Sequence, residues 1–208
     1  TPNICESHPA VVKVIRGTTW ASSSHGRADA EGSLRQQIYL ESLKSNPDWV
    51  YYFDSDEIAD FDGIDLNDTN TSAYSLRLFD YYITKDDVTK NYREREWMGP
   101  EYRDIMMLFR PSPKILFKDR QPLGFTNHKL GGFVKHYGKA VSIVEWEKTC
   151  DYYIEHRGGI QRPFFTNKWK ARKGKAIHTE SDFGRELIKW EDRKDPSKVL
   201  NLLKQANK

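Results

Sequence analysis

Trp49-Val50-Tyr51-Tyr52-Phe53-Asp54-Ser55-Asp56-Glu57 joins five apolar residues to a short acidic segment. A continuous apolar run with no alternation reads as a strand buried on both faces, as at the parallel centre of an α/β sheet. Such strands present ligand-binding residues at their carboxyl ends. On extended backbone, residues two apart point the same way, so Asp54 and Asp56 can face one cation together. Hard cations such as Mg²⁺ and Mn²⁺ take oxygen ligands and bind through one or two carboxylates plus the phosphates of a substrate. The stretch therefore predicts a central strand and a Mn²⁺ or Mg²⁺ site on Asp54 and Asp56. An EF-hand loop starting at Asp54 would need glycine where Ala59 stands. Glu57 reads as a neighbour of the site rather than a ligand.

Upstream, Val11-Val12-Lys13-Val14-Ile15 is β-branched and reads as a strand. Gly17 to Gly32 is a polar loop long enough to be functional. Leu34, Ile38, Leu40 and Leu43 follow at near-helical spacing, with Asp29 or Ser33 as a cap and Asn46-Pro47 as the stop. Val11 to Phe53 thus reads as strand, helix, strand, a βαβ crossover. Downstream, Tyr74 to Phe79, Met106 to Arg110 and Ile115 to Phe117 read as strands, the last two joined through Pro111 and Pro113 by a hairpin-like turn. Glu145 to His156 reads as a helix closed by Gly158-Gly159. Ser181 to Trp190 reads as a further helix, and Pro196 opens a last one behind the cap Asp195. Arg162 to Lys175 is basic and poor in glycine, and reads as a mobile loop or arm.

The 208 residues carry a net charge of only +3, which hides an asymmetry. Ile160 to Lys208 holds 13 Lys and Arg against 6 Asp and Glu, a net of +7, which leaves −4 for the rest. Asp54, Asp56, Glu57, Asp60, Asp62, Asp65 and Asp68 fall in one base-free segment, costly by self-repulsion unless a positive group sits in it. The length suits one unit, with a core from about 11 to 159 and a basic helical extension from about 160 to 208. Two cysteines exclude a disulfide framework and a Cys-rich zinc site. No run approaches the ~20 apolar residues of a membrane span, and no apolar segment follows a basic start, so a cytoplasmic protein is expected. Phe164, Phe165 and Trp169 beside Lys168, Lys170, Arg172 and Lys173 loosely fit a single-strand nucleic-acid groove. A solvated face is the plainer reading. The favoured one brings part of this tail to a negative diphosphate, with no nucleic-acid partner.

With the helix bearing Arg35, the opening stretch resembles the metal-binding core of GT-A glycosyltransferases, the family-2-like enzymes above all. Gly131-Gly132-Phe133-Val134-Lys135-His136-Tyr137-Gly138, followed by a helix with Glu147, Tyr152 and Tyr153, is similar to the His-Tyr-Gly segment of many such enzymes. Leu108-Phe109-Arg110 and Ile115-Leu116-Phe117 resemble the strand pair before that segment. The likeness covers roughly Val11 to Gly159. It implies a GT-A-like (Rossmann-like) α/β fold with a mixed, mostly parallel central sheet flanked by helices. It implies transfer of a sugar from a nucleotide-sugar donor, a UDP-sugar favoured, to a glycan or glycoprotein acceptor. His136 would complete a metal site with Asp54 and Asp56. Arg35 would contact the nucleotide, with Ser24, His25 and Arg27 of the loop and with Asp54 and Ser55. If the reaction inverts, a pocket carboxylate must deprotonate the acceptor, and Asp119, Glu101 and Asp104 are the candidates. Trp97 is the candidate for the acceptor side, with Trp146 and Trp169 behind it. Only ten residues precede Val11, where the family opens with a strand and helix that help bind the base, so a piece of a longer chain is expected. The rival classes are a metal-dependent nuclease or phosphohydrolase using the same acids, and a non-enzymatic nucleic-acid-binding module built on the tail.

Overall fold

Two long apolar-rich strands set the architecture. In this computed structural model, which describes residues 2–16, 24–118, 121–156 and 162–194, those strands are β3 (Ala73–Tyr81) and β4 (Trp97–Phe109), paired antiparallel. Leu76 and Leu78 point to one face and pack with Met107 and Val134. Phe79 and Tyr81 point to the other and pack with Met98, Tyr137 and Trp190. Period-two alternation thus gives the sheet two buried faces.

The main sheet has the order β1-β4-β3-β7-β2, with β1 (Val50–Tyr51), β2 (Glu57–Asp60) and β7 (His128–His136), and a short β8 (Ile188–Lys189) also paired to β4. Only β3 with β7 is parallel among the described strands; β1–β4, β4–β3, β7–β2 and β4–β8 are antiparallel. The chain is a mixed α/β protein, but the expectation of a mostly parallel sheet is corrected. The expected burial on both faces is corrected too: Trp49 to Tyr52 are only half-buried, and Phe53 is 55% exposed. The apolar run carries no information on strand direction. Val50 and Tyr51 form a two-residue strand antiparallel to Phe109 and Leu108. The flanking rings are covered by other aromatics rather than by two sheet neighbours: Trp49 lies against Tyr74, and Tyr52 against Phe109 and Phe117.

The βαβ crossover from Val11 is likewise corrected. Residues 11–16 form no strand, and Val12 is 93% exposed. β-Branched residues favour strands only where a half-buried pleated surface receives them. The helix does form, as α2 (Ser24–Ser42), and it starts before Asp29 or Ser33 could cap it. It seats Tyr39 among Phe109, Ile115 and Phe117. β5 (Leu116–Lys118) pairs with β6 (Gln121–Leu123) as a separate small hairpin rather than with β4.

After β7, α3 (Ile143–His156) matches the expected helix. Residues 162–172, expected as a mobile arm, form α4 (Arg162–Arg172), which lays Trp169 flat on Tyr153 at 4.5 Å between ring centres and beside Trp146. The expected helix from Ser181 does not form. Ser181 Oγ accepts the main-chain N–H of Phe183 and Arg185, Gly184 takes φ +69°, and the chain turns back into β8. A serine hydroxyl that satisfies nearby N–H groups competes with helix formation in this way. The helix expected from Pro196 lies outside the described residues. Among the described residues, no helix is long and apolar enough to cross a membrane.

Candidate functional site

β1 and β2 stand at opposite ends of the sheet path, so the Asp54-Ser55-Asp56 segment crosses the end of the sheet between them. Tyr52 N–H still donates to Met107 O (3.0 Å), and the chain then leaves β4. A tight turn follows, in which Glu57 N–H donates to Asp54 O (3.0 Å) and Asp54 N–H donates to Glu57 Oε2 (2.8 Å). Tyr137 N–H, just past β7, donates to Asp56 O (2.8 Å) and fixes the far side of the turn. Glu57 is thus a structural cap. Burial, opposed by that main-chain hydrogen bond and aided by the nearby Asp54 charge, raises its carboxyl above the usual range.

The two aspartates are held from different sides. Arg35 Nη2, from α2, donates to Asp54 Oδ1 at 2.6 Å and to Glu31 Oε1 at 2.9 Å, with its guanidinium over the Tyr52 ring. Asp56 Oδ2 lies 3.5 Å from His136 Nε2 at the end of β7. A Cβ at Gly138 would fall 2.8 Å from both Asp56 Oδ2 and His136 Nε2, so glycine there keeps open the space beside these two donors. Ser55 is exposed at the tip of the turn.

His136 is also gripped from behind. Its Nδ1 lies 2.5 Å from Asp80 Oδ1, on the neighbouring strand β3, whose register sets Asp80 opposite His136. Burial alone would lower the imidazole pKa. The hydrogen bonds and charges of Asp56 and Asp80 outweigh it and raise it to about 9. Asp80 Oδ2 accepts from Lys139 Nζ (2.8 Å), and Oδ1 accepts from Arg103 Nη2 (2.9 Å). Against the opposing effect of burial, His136, Lys139 and Arg103 hold Asp80 well below the carboxylate range. Lys139 also pairs with Asp182 (2.6 Å), and Asp182 with Arg172 of α4 (2.6 Å). An alternating chain of charges therefore runs from Asp56 to α4. Asp80 and Lys139 are the site residues that sequence reasoning missed. Asp80 ends the polar–apolar alternation of β3, but only strand register shows that it meets His136.

Of the other expected site residues, Glu101 accepts from Ser181 Oγ (2.7 Å) and lies 3.4 Å from Arg185 Nε. Its Oε2 is also close to Gly99, whose neighbour Tyr82 shares Lys139 with Asp80. Asp104 pairs with Arg77 (3.3 Å), which lies over the Tyr102 ring. Alternation along β4 puts Asp104 and Tyr102 on the face opposite Arg103 and Asp80, so the fold does not bring Asp104 to this cluster. Asp119 lies outside the described residues. Ser24, His25 and Arg27 belong to the start of α2, with their side chains outside the described set. Trp97 carries Lys189 over its ring, and Trp146 and Trp169 are buried between α3 and α4. The Trp169 ring that the nucleic-acid reading needs is thereby spent on packing.

Carboxylate oxygens with one imidazole nitrogen are a suitable donor set for Mn²⁺ or Mg²⁺. The space kept by Gly138 lies against two of those donors. Among the described residues, however, no three or more such groups are already grouped as a metal cage. No protein-family model, curated protein or solved structure matches the chain. A functional reading therefore rests on this geometry.

Proposed function

We propose that the protein is a metal-dependent glycosyltransferase with a GT-A-like site, transferring a sugar from a nucleotide-diphosphate sugar, a UDP-sugar favoured, to a hydroxyl of a glycan or glycoprotein. The observation that carries the reading is a pair of contacts on one acidic turn, Arg35 with Asp54 and His136 with Asp56, on either side of Glu57, whose carboxyl feels the charges of Asp54, Asp56 and His136. Asp54, Asp56 and His136 would hold Mn²⁺ or Mg²⁺, which supplies positive charge to a leaving diphosphate when bound. Arg35 orients Asp54 and adds a fixed cation on the same side. Of the described candidates for acceptor deprotonation, Glu101 accepts from Ser181, the chain neighbour of the Asp182 that pairs with Lys139, whereas Asp104 pairs with Arg77 on the other face.

The test is calorimetric titration of UDP-glucose into the protein with and without Mn²⁺. Binding is expected only with the cation, and Asp56→Asn is expected to abolish it with the circular dichroism spectrum intact. Unchanged donor affinity in folded Asp56→Asn would sink the assignment. Mg²⁺-dependent cutting of DNA or RNA, with no UDP-sugar binding, would replace it by the nuclease reading.

A further inference from the structure

The ring of His136 has two nitrogens with unlike neighbours, and the fold commits them differently. Nδ1 is 2.5 Å from Asp80 Oδ1, and Nε2 faces Asp56 Oδ2 at 3.5 Å across the space that Gly138 leaves open. Asp80 is itself held in place by Lys139 and Arg103, at 2.8 and 2.9 Å. Its two oxygens are therefore divided: Oδ2 meets Lys139, and Oδ1 meets His136 and Arg103. The parallel register that sets Asp80 opposite His136 makes this contact a property of the sheet rather than of a loop.

We propose that Asp80 is a positioning residue: it accepts the Nδ1–H of His136 and so turns Nε2 toward Asp56 as the one ring nitrogen open to a ligand. A carboxylate behind an imidazole fixes its tautomer and ring orientation and makes the outward nitrogen the more basic donor. The role of the cation in this proposal rests on the function proposed above. The tautomer does not depend on it. Lys139 and Arg103 serve the same end one step back, since they keep the Asp80 carboxylate from turning away from the ring.

Long-range ¹H–¹⁵N correlation spectra of the ¹⁵N-histidine-labelled full chain test this directly. At a pH where the ring is neutral, the proton is expected on Nδ1, and Mg²⁺ is expected to move the Nε2 resonance. In Asp80→Asn the preference for Nδ1–H is expected to weaken. Mn²⁺ affinity, followed by electron paramagnetic resonance, is expected to fall about 10–100-fold, as for other partners one step behind a metal ligand. A wild-type ring carrying its proton on Nε2 would overturn the proposal, and this measurement decides it even if Asp80→Asn does not fold. An Asp80→Asn protein that melts lower but keeps both the tautomer and the Mn²⁺ affinity would also overturn it, leaving Asp80 a purely structural residue. A wild-type protein that binds no Mn²⁺ would end the metal reading, while the tautomer result would still decide the role of Asp80.

Discussion

His136 and His178 are both largely withdrawn from water, yet their surroundings push them in opposite directions. His136 lies between the carboxylates of Asp56 and Asp80, which raise its pKa to about 9 against the effect of burial. His178 lies between the rings of Tyr82 and Trp146, at 4.9 and 5.0 Å between centres, with Nδ1 2.9 Å from Ala176 O. Burial lowers its pKa, and the carbonyl contact and the Asp182 charge do not reverse that. The two sites are near neighbours through Tyr82, whose hydroxyl accepts from the same Lys139 that binds Asp80. Burial thus sets the same tendency for both rings, and the adjacent charge decides the outcome. One site concentrates charge where a ligand can use it. The other joins α3 and the segment after α4 to the sheet.

The largest effect should come from the aromatic side. Trp146 is 1% exposed and contacts both Trp169 and His178. Trp146→Ala is expected to cost about 3–5 kcal/mol, read from the urea midpoint. A loss below about 1 kcal/mol would break the comparison, because this cluster would then not be what holds α3 and α4. On the charged side, Lys139→Met removes one cation from Asp80 and one from Asp182, each of which keeps another partner. The expected loss is smaller, about 1.5–3 kcal/mol by the same measurement.

Acidity sharpens the contrast further. With chelator present, the folded His136 pKa lies above the unfolded value of about 6.5. Its contribution to stability is complete below that value and is lost as pH rises through about 9. The folded His178 pKa is depressed, so its contribution is complete above about 6.5 and is lost as pH falls below it. Ring-proton NMR titrations should show the two midpoints on opposite sides of the free imidazole value. Midpoints on the same side would mean that Asp56 and Asp80 do not hold His136 as a pair.

Much of the candidate site was legible in the sequence, and its wiring was not. Asp54 and Asp56 stand out by residue type and local spacing, whereas Arg35 and His136 are singled out only through the resemblance to GT-A enzymes; the structure puts Arg35 against Asp54 and His136 against Asp56. The strands around Tyr74, Met106 and Leu116 and the helix after Glu145 were legible, since alternation and helical spacing are local. Strand direction was not, because Val50-Tyr51 would be as apolar in either sense. Asp80 was invisible because its significance depends on which strand β3 lies beside. The turn at Ser181 defeated the helical reading because a hydroxyl satisfied N–H groups that a helix would have claimed. Trp169, set among Lys and Arg in the sequence, looked available for stacking until α4 turned it onto Tyr153.

The smallest expected effect tests the two faces of the sheet. Arg103 and Asp104 are adjacent in β4, so extended backbone sends them to opposite faces. Arg103 reaches Asp80, while Asp104 meets Arg77 at a half-exposed position beside Tyr102. An exposed pair of this kind contributes little, since solvent and salt screen it. Asp104→Asn is therefore expected to shift stability by no more than about 0.5 kcal/mol, read by urea titration, and, on the proposed function, to leave UDP-sugar binding and release of UDP unchanged. A large fall in turnover with unchanged donor binding would make Asp104 the base for the acceptor. The acceptor would then have to approach the face opposite His136, and the charged cluster around Asp80 could not be the centre of the reaction.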